Sequence, residues 1–250
     1  MDLGVTIGDQ ARRIETIGDA FSFVEVGIGE GAAIPGEQSP AAIREMAQSV
    51  DCTITVHLPF KQELVTHVPE LNQAIISYLG RLLHWAGRID ARYAVVHATA
   101  RHPNDTSLRP IMIDQLGAIS EIAQGLDITV TLENVGHQPR GLPLSVVADL
   151  ADEAEVPLCF DIGHAYMEGG NDAIERVLNQ YNSQIVYLHL HDVRSRGDTH
   201  LPIGAGEIDF SILQAAWEEM ESDVALEIFT DDRGHLLDSA TRFRKLIGEE

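Results

Sequence analysis

Eight short, apolar, β-branched segments alternate with eight longer amphipathic ones along the chain, and this alternation constrains the fold more than any other feature of the sequence. The strand segments fall near 3–7, 22–27, 53–58, 93–98, 127–133, 157–161, 185–190 and 223–228. Helical patterns lie between and after them, near 10–18, 39–49, 68–88, 108–125, 143–154, 170–182, 210–220 and 235–248. Ser39-Pro40 and Ser107 mark helix starts. Leu71, Ile75, Ile76, Leu79, Leu82 and Leu83 repeat at helical spacing, which predicts one buried face for the 68–88 helix. Eight βα units in 250 residues leave about 31 residues for each, which predicts an α/β fold of the (β/α)8 TIM-barrel type, one domain over residues 1–250. The longest stretch outside both patterns, 192–208, is expected to be a functional loop.

Charge narrows the partners. The chain carries 39 Asp and Glu against 17 Lys and Arg, a net charge of −22, with Lys61 and Lys245 as its lysines. Binding to nucleic acid draws on a basic stripe that neutralises phosphates, so nucleic acid is not the expected partner. Acidic residues interspersed with apolar periodicity suggest instead the surface of a halophilic cytoplasmic protein, whose self-repulsion dissolved salt screens. No stretch approaches the roughly 18 uncharged apolar residues of a membrane span, and residues 1–9 read as a strand rather than a secretory leader, so no membrane partner is expected. Cys52 and Cys159 fall in separate strand segments and are expected to be buried thiols.

In a barrel of this kind the active site forms where the strands end, and seven of the eight strands end in a metal-binding residue type. These are Glu25, His57, His97, Glu133, Asp161, His189 with His191, and Glu227. Asp, Glu and His make up a fifth of the chain. With two candidate positions per strand, seven hits in seven strands have a chance probability on the order of 10⁻³. A carboxylate closing an apolar run, as at Glu133, Asp161 and Glu227, is costly to bury without a cation or hydrogen-bond donors. His189 and His191 share parity and face one side; one is expected to bind metal and the other to orient it or to bind substrate. Glu25 is expected to contact substrate or to pair with an arginine. Oxygen and imidazole ligands without thiolate suit Mn²⁺, Mg²⁺, Co²⁺, Fe²⁺ or Zn²⁺.

The same residues carry a resemblance. His-Leu-Pro-Phe (57–60), Val-Val-His (95–97), Leu-Glu-Asn (132–134), Asp-Ile-Gly-His (161–164), His-Leu-His-Asp (189–192), the run from Asp198 to Phe210 and Leu-Glu-Ile (226–228) together resemble the xylose-isomerase-like TIM-barrel superfamily over nearly the whole chain. Two branches fit: sugar or sugar phosphate isomerases and epimerases, and the endonuclease IV family acting at abasic sites in DNA. The first implies one divalent metal on Glu133, Asp161, His189 and Glu227. The second implies a zinc cluster that adds His57, His97, His164, Asp198 and His200. Phe60 stands where the nuclease pattern has tyrosine, and the acidity also counts against DNA. A lyase or dehydratase on the same scaffold is a further alternative.

For the isomerase or epimerase, the resemblance implies catalysis by Glu133 and Glu227, which move a proton through a metal-stabilised enediolate. His164 would contact a substrate hydroxyl, and Arg194 or Arg196 would hold a phosphate or a distal hydroxyl. The expected partner is a small sugar or sugar phosphate; a homo-oligomer is compatible with the sequence.

Overall fold

The computed structural model describes residues 2–29, 39–194, 197–217 and 220–249. Eight parallel strands close into a barrel: β1 (Leu3–Gly8), β2 (Phe23–Gly27), β3 (Thr53–His57), β4 (Ala91–His97), β5 (Thr129–Glu133), β6 (Leu158–Asp161), β7 (Ile185–Leu190) and, last in the chain, β10 (Asp223–Leu226). Between β7 and β10 the short strands β8 (Asp192–Arg194) and β9 (Gly197–Leu201) pair antiparallel. The stretch expected to be a loop over 192–208 therefore opens as a hairpin. Its polar sequence hides this because Val193 is the one buried apolar side chain of the two strands, too little for a periodic signal.

Helices cover the barrel in the expected order. They are α2 (Pro40–Ser49), α3 (Pro69–Gly87), α4 (Arg109–Gln124), α5 (Leu144–Glu153), α6 (Ile162–Tyr181), α7 (Ser211–Trp217) and α8 (Arg233–Leu246). The first helical segment is three short turns around α1 (Ile14–Ile17). Helix α6 starts eight residues before its expected position. Asp161 caps it by accepting from the His164 backbone N–H at 2.6 Å, and the backbone leaves helical geometry at Gly169 and Gly170, where the expected helix begins. Ser39 caps α2 in the same way, with Pro40 in its first turn.

Two apolar cores result. The larger lies between strands and helices, and the smaller, inside the barrel, joins Phe23, Val95, Cys159, Tyr187 and Ala225. Every one of these five interior residues is odd-numbered, and so are Glu25, His57, His97, Glu133, Asp161, His189 and Glu227. Strand side chains alternate in and out, so a strand that packs an apolar residue inside must also turn the residue two places on inward, one layer nearer the barrel mouth. Register then sets them side by side: His97 pairs with Glu133, and Asp161 with His189.

Candidate metal centre

Glu133, Asp161, His189 and Glu227 are buried, and each offers a ligand atom within 4.8 Å of the others. His189 Nδ1 lies 3.2 Å from Glu227 Oε2, 3.4 Å from Glu133 Oε1 and 3.8 Å from Asp161 Oδ2. His189 Nδ1, Glu133 Oε1 and Glu227 Oε2 have no hydrogen-bond partner. Three buried carboxylates facing one another and an imidazole nitrogen form a concentration of negative charge that suits a cation. Mostly oxygen with a single imidazole suits a divalent ion of hard to borderline character.

Around the four, other residues hold them. His57 and His97 each bring Nε2 to 3.0 Å from Glu133 Oε2. Burial pushes the Glu133 carboxyl up, but His97 and His189 hold it well below the ordinary range. Burial lowers His57, and the hydrogen bond to Glu133 more than reverses this, to about 9. His191 Nε2 lies 3.1 Å from both Asp161 oxygens and so braces Asp161. That contact requires Gly163: a Cβ there would sit 2.1 Å from the His191 ring. Asn134 exchanges hydrogen bonds with the Asp161 backbone at 2.8 and 2.9 Å, which gives the Leu-Glu-Asn run a role. Glu227 is the exception among the carboxylates, pushed up by burial and by repulsion from Glu133 and Asp161.

Glu25 does not line the mouth. It is fully buried and accepts from Thr6, Tyr187 and His189, with no arginine among these donors, which departs from both expectations for it.

A second group forms beside the first. His164 donates Nδ1–H to the Asn134 carbonyl at 3.0 Å and His200 donates Nδ1–H to the Glu227 carbonyl at 2.8 Å, which turns both Nε2 atoms toward Asp198, at 3.5 and 2.9 Å. Burial opposes the Asp198 charge, but His137, His164 and His200 hold its carboxyl far below the ordinary range. His137 is a residue that the strand-end pattern misses. It sits four residues past β5, packs its ring at a tilt against His164 with centroids 4.2 Å apart and reaches to 3.6 Å from Asp198. His200 holds a left-handed backbone, φ 41°, a conformation that costs a non-glycine residue about 1–3 kcal/mol. Asp192 fixes the following turn by accepting from the backbone N–H groups of Val193, Gly204, Gly206 and Ile208. At Gly206 a Cβ would lie 2.3 Å from its carboxylate.

The mouth is a cavity of about 300 Å³ lined by residues that include Ile28, His57, His97, Glu133, His164, Asp198, His200 and Glu227. Two exposed rings flank it: Phe60 stacks on His97 at 5.0 Å and Phe229 on His200 at 3.9 Å. Arg194 does not line this cavity; its guanidinium donates to the Ala205 carbonyl at 3.2 Å. Arg196 lies outside the described residues.

A model of the xylose isomerase-like TIM barrel family matches residues 11–246. Uncharacterized protein MJ1614 of Methanocaldococcus jannaschii is 24% identical over 206 residues, 79% of this chain and 77% of that protein. The structure of a D-tagatose 3-epimerase-like protein superposes with a TM-score of 0.78 at 20% identity, over 100% of this chain and 99% of that one. D-psicose 3-epimerase in the presence of D-fructose superposes with a TM-score of 0.80 at 14% identity, over 99% and 100%. At such identities the structural likeness speaks to the fold alone.

Proposed function

The chain belongs to the xylose isomerase-like TIM barrel family, and on that premise we propose that it is a divalent-metal-dependent isomerase or epimerase of a small sugar or sugar phosphate. The observation that carries this reading is the convergence of Glu133, Asp161, His189 and Glu227 within 4.8 Å, with Glu133 and Glu227 approaching from strands three positions apart around the barrel. A cation held there supplies the positive charge that makes a C–H beside a carbonyl acidic and stabilises the enediolate left by its loss.

The protein's own groups do the rest. Glu133 and Glu227 each bring carboxylate oxygens to the mouth, able to take or return a proton at a substrate carbon. Two such oxygens from different strands suit a reaction in which one removes the proton and the other returns it to the opposite face. Asp161 and His189 complete the ligand set, and His164 stands at the mouth to meet a substrate hydroxyl. The two similar solved structures, of a D-psicose 3-epimerase and a D-tagatose 3-epimerase-like protein, lend support. Incubation with Mn²⁺ or Co²⁺ and a panel of keto-sugars in D₂O tests the reading: deuterium enters the carbon next to the carbonyl and the epimer accumulates. No exchange with any ketose or ketose phosphate would falsify it.

A second reading, an endonuclease IV-like zinc phosphodiesterase, is favoured by one observation. The His57, His97 and Glu133 group and the group of His164, His191, Asp198 and His200 would let the mouth hold two or three ions. Against it stand the charge of −22 and the absence of any Arg or Lys among the described residues lining the mouth. Metal analysis after dialysis separates the two: one ion and ketose turnover fit the first, whereas three zinc ions and cleavage of an abasic-site duplex fit the second.

A further inference from the structure

We propose that Glu25 is a positioning residue of the cation site, holding His189 by Nε2 so that only Nδ1 faces Glu133, Asp161 and Glu227. The inference rests on the reading that those four residues hold a divalent cation. Glu25 is in β2 and His189 in β7, strands three positions apart, so the contact crosses the barrel interior.

The donors around Glu25 leave it one role. Oε1 accepts from the Thr6 hydroxyl at 2.9 Å, and Oε2 accepts from the Tyr187 hydroxyl at 2.9 Å and from His189 Nε2 at 3.0 Å. An ionised carboxylate only accepts, so the proton of this last bond resides on Nε2. Bound to a cation as a neutral imidazole, His189 would carry only this N–H, which leaves Nδ1 as the lone-pair nitrogen. Nδ1 is buried without a hydrogen-bond partner and points at the three carboxylates. With one oxygen on Thr6 and the other on two donors, Glu25 has no open side for substrate. Tyr187, buried in the interior apolar layer, packs edge-on against the His189 ring at 5.5 Å and closes the site from below. The tyrosine hydroxyl fixes the carboxylate, the carboxylate fixes the imidazole, and the imidazole presents one nitrogen. Outer partners of this kind raise the basicity of a ligating histidine and lock its ring, and their loss costs about 10–100-fold in metal affinity.

Titration of metal-free protein with Co²⁺, followed by calorimetry and by the visible absorption of the bound ion, tests this without reference to any substrate. Glu25→Gln keeps the volume but offers an amide in place of one carboxylate oxygen. It is expected to bind Co²⁺ about 10–100-fold more weakly than wild type while still melting cooperatively. Thr6→Val removes a donor that does not touch His189, and its Kd is expected to stay within about threefold of wild type. Should Glu25→Gln fail to fold, ¹⁵N-histidine spectra of the zinc-loaded wild type, assigned with His189→Gln, decide the matter. His189 is expected to show a slowly exchanging Nε2 proton and a coordinated Nδ1. A Glu25→Gln Kd within about threefold of wild type, or coordination through Nε2, overturns the inference alone. A wild type that binds no divalent cation overturns the cation reading and this inference with it.

Discussion

At the N-terminal end of the barrel Arg92 reaches Asp2 and Asp223, both at 2.8 Å, and Tyr93, Tyr187 and Phe23 pack above them as tilted rings with centroids 5.1 and 5.8 Å apart. At the C-terminal end, a few residues along the same strands, three carboxylates face one imidazole nitrogen and three of the polar atoms have no hydrogen-bond partner. Opposite charges are paired below; like charges are held together above. The lower end contributes stability and asks for nothing further. The upper end is stable only because outer partners such as His57, His191 and Glu25 restrain it, and it reserves its free lone pairs for a cation. Neutralising a charge should therefore cost activity above and stability below.

The largest expected effect is on turnover. Glu133→Gln and Glu227→Gln should each reduce it by about 10²–10⁴-fold in steady-state assays, since each removes a ligand and a proton-transfer group. Retention of more than about a tenth of wild-type activity by either would erase the distinction between the ends. Salt comes next and should separate exposed charge from buried charge. With −22 to screen, melting temperature should climb steeply between about 0.1 and 2 M KCl as the Debye length falls from about 10 Å to near 2 Å. A flat curve would remove the salt-adapted reading of the surface. Stripping the cation should lower the melting temperature by about 5–10 °C, because an ion present at about 100 times its Kd stabilises the fold by about 2.7 kcal/mol. Scanning calorimetry with and without chelator reads this, and coincident traces would mean that the upper cluster tolerates its own repulsion. The smallest effect belongs to the lower end. Arg92→Ala should cost about 1 kcal/mol, or about 2–4 °C, because the pair with Asp2 is half exposed and well solvated. Its Co²⁺ affinity should match that of wild type; a change would show that the ends communicate.

The sequence reads differently at the two ends as well. Strand positions and the upper residues are legible because apolar runs such as Ala-Val-Val before His97 and Val-Thr-Leu before Glu133 declare both the strand and its last inward position. The start of α6 is not, because Ile-Gly-His after Asp161 lacks a periodic apolar face and the Gly169-Gly170 break imitates a boundary. His137 follows Val135-Gly136 on a loop, where no period applies, and its contacts with His164 and Asp198 reveal it. Roles are harder to read than positions. Glu25 shows as an inward carboxylate, but that its partners are Tyr187 and His189 depends on strands joined through β1 and β10, which a single sequence does not align. The lower ion pair depends on Asp2 and Asp223, more than 200 residues apart and with nothing local to link them.

The shared odd numbering of the interior residues has a genetic consequence. One residue inserted or deleted within β4, β5, β6 or β7 would turn everything after it in that strand by half a turn, exchanging the interior residue for its neighbour on the helix side. In β5 such a frame slip would aim Leu132 or Asn134 into the mouth and send Glu133 against the helices, removing a ligand and burying a charge in oil at one stroke. Substitutions can drift along these strands one at a time, but length cannot. Changes of length are confined to the loops beyond the strand ends, which are also the parts that meet whatever the mouth binds.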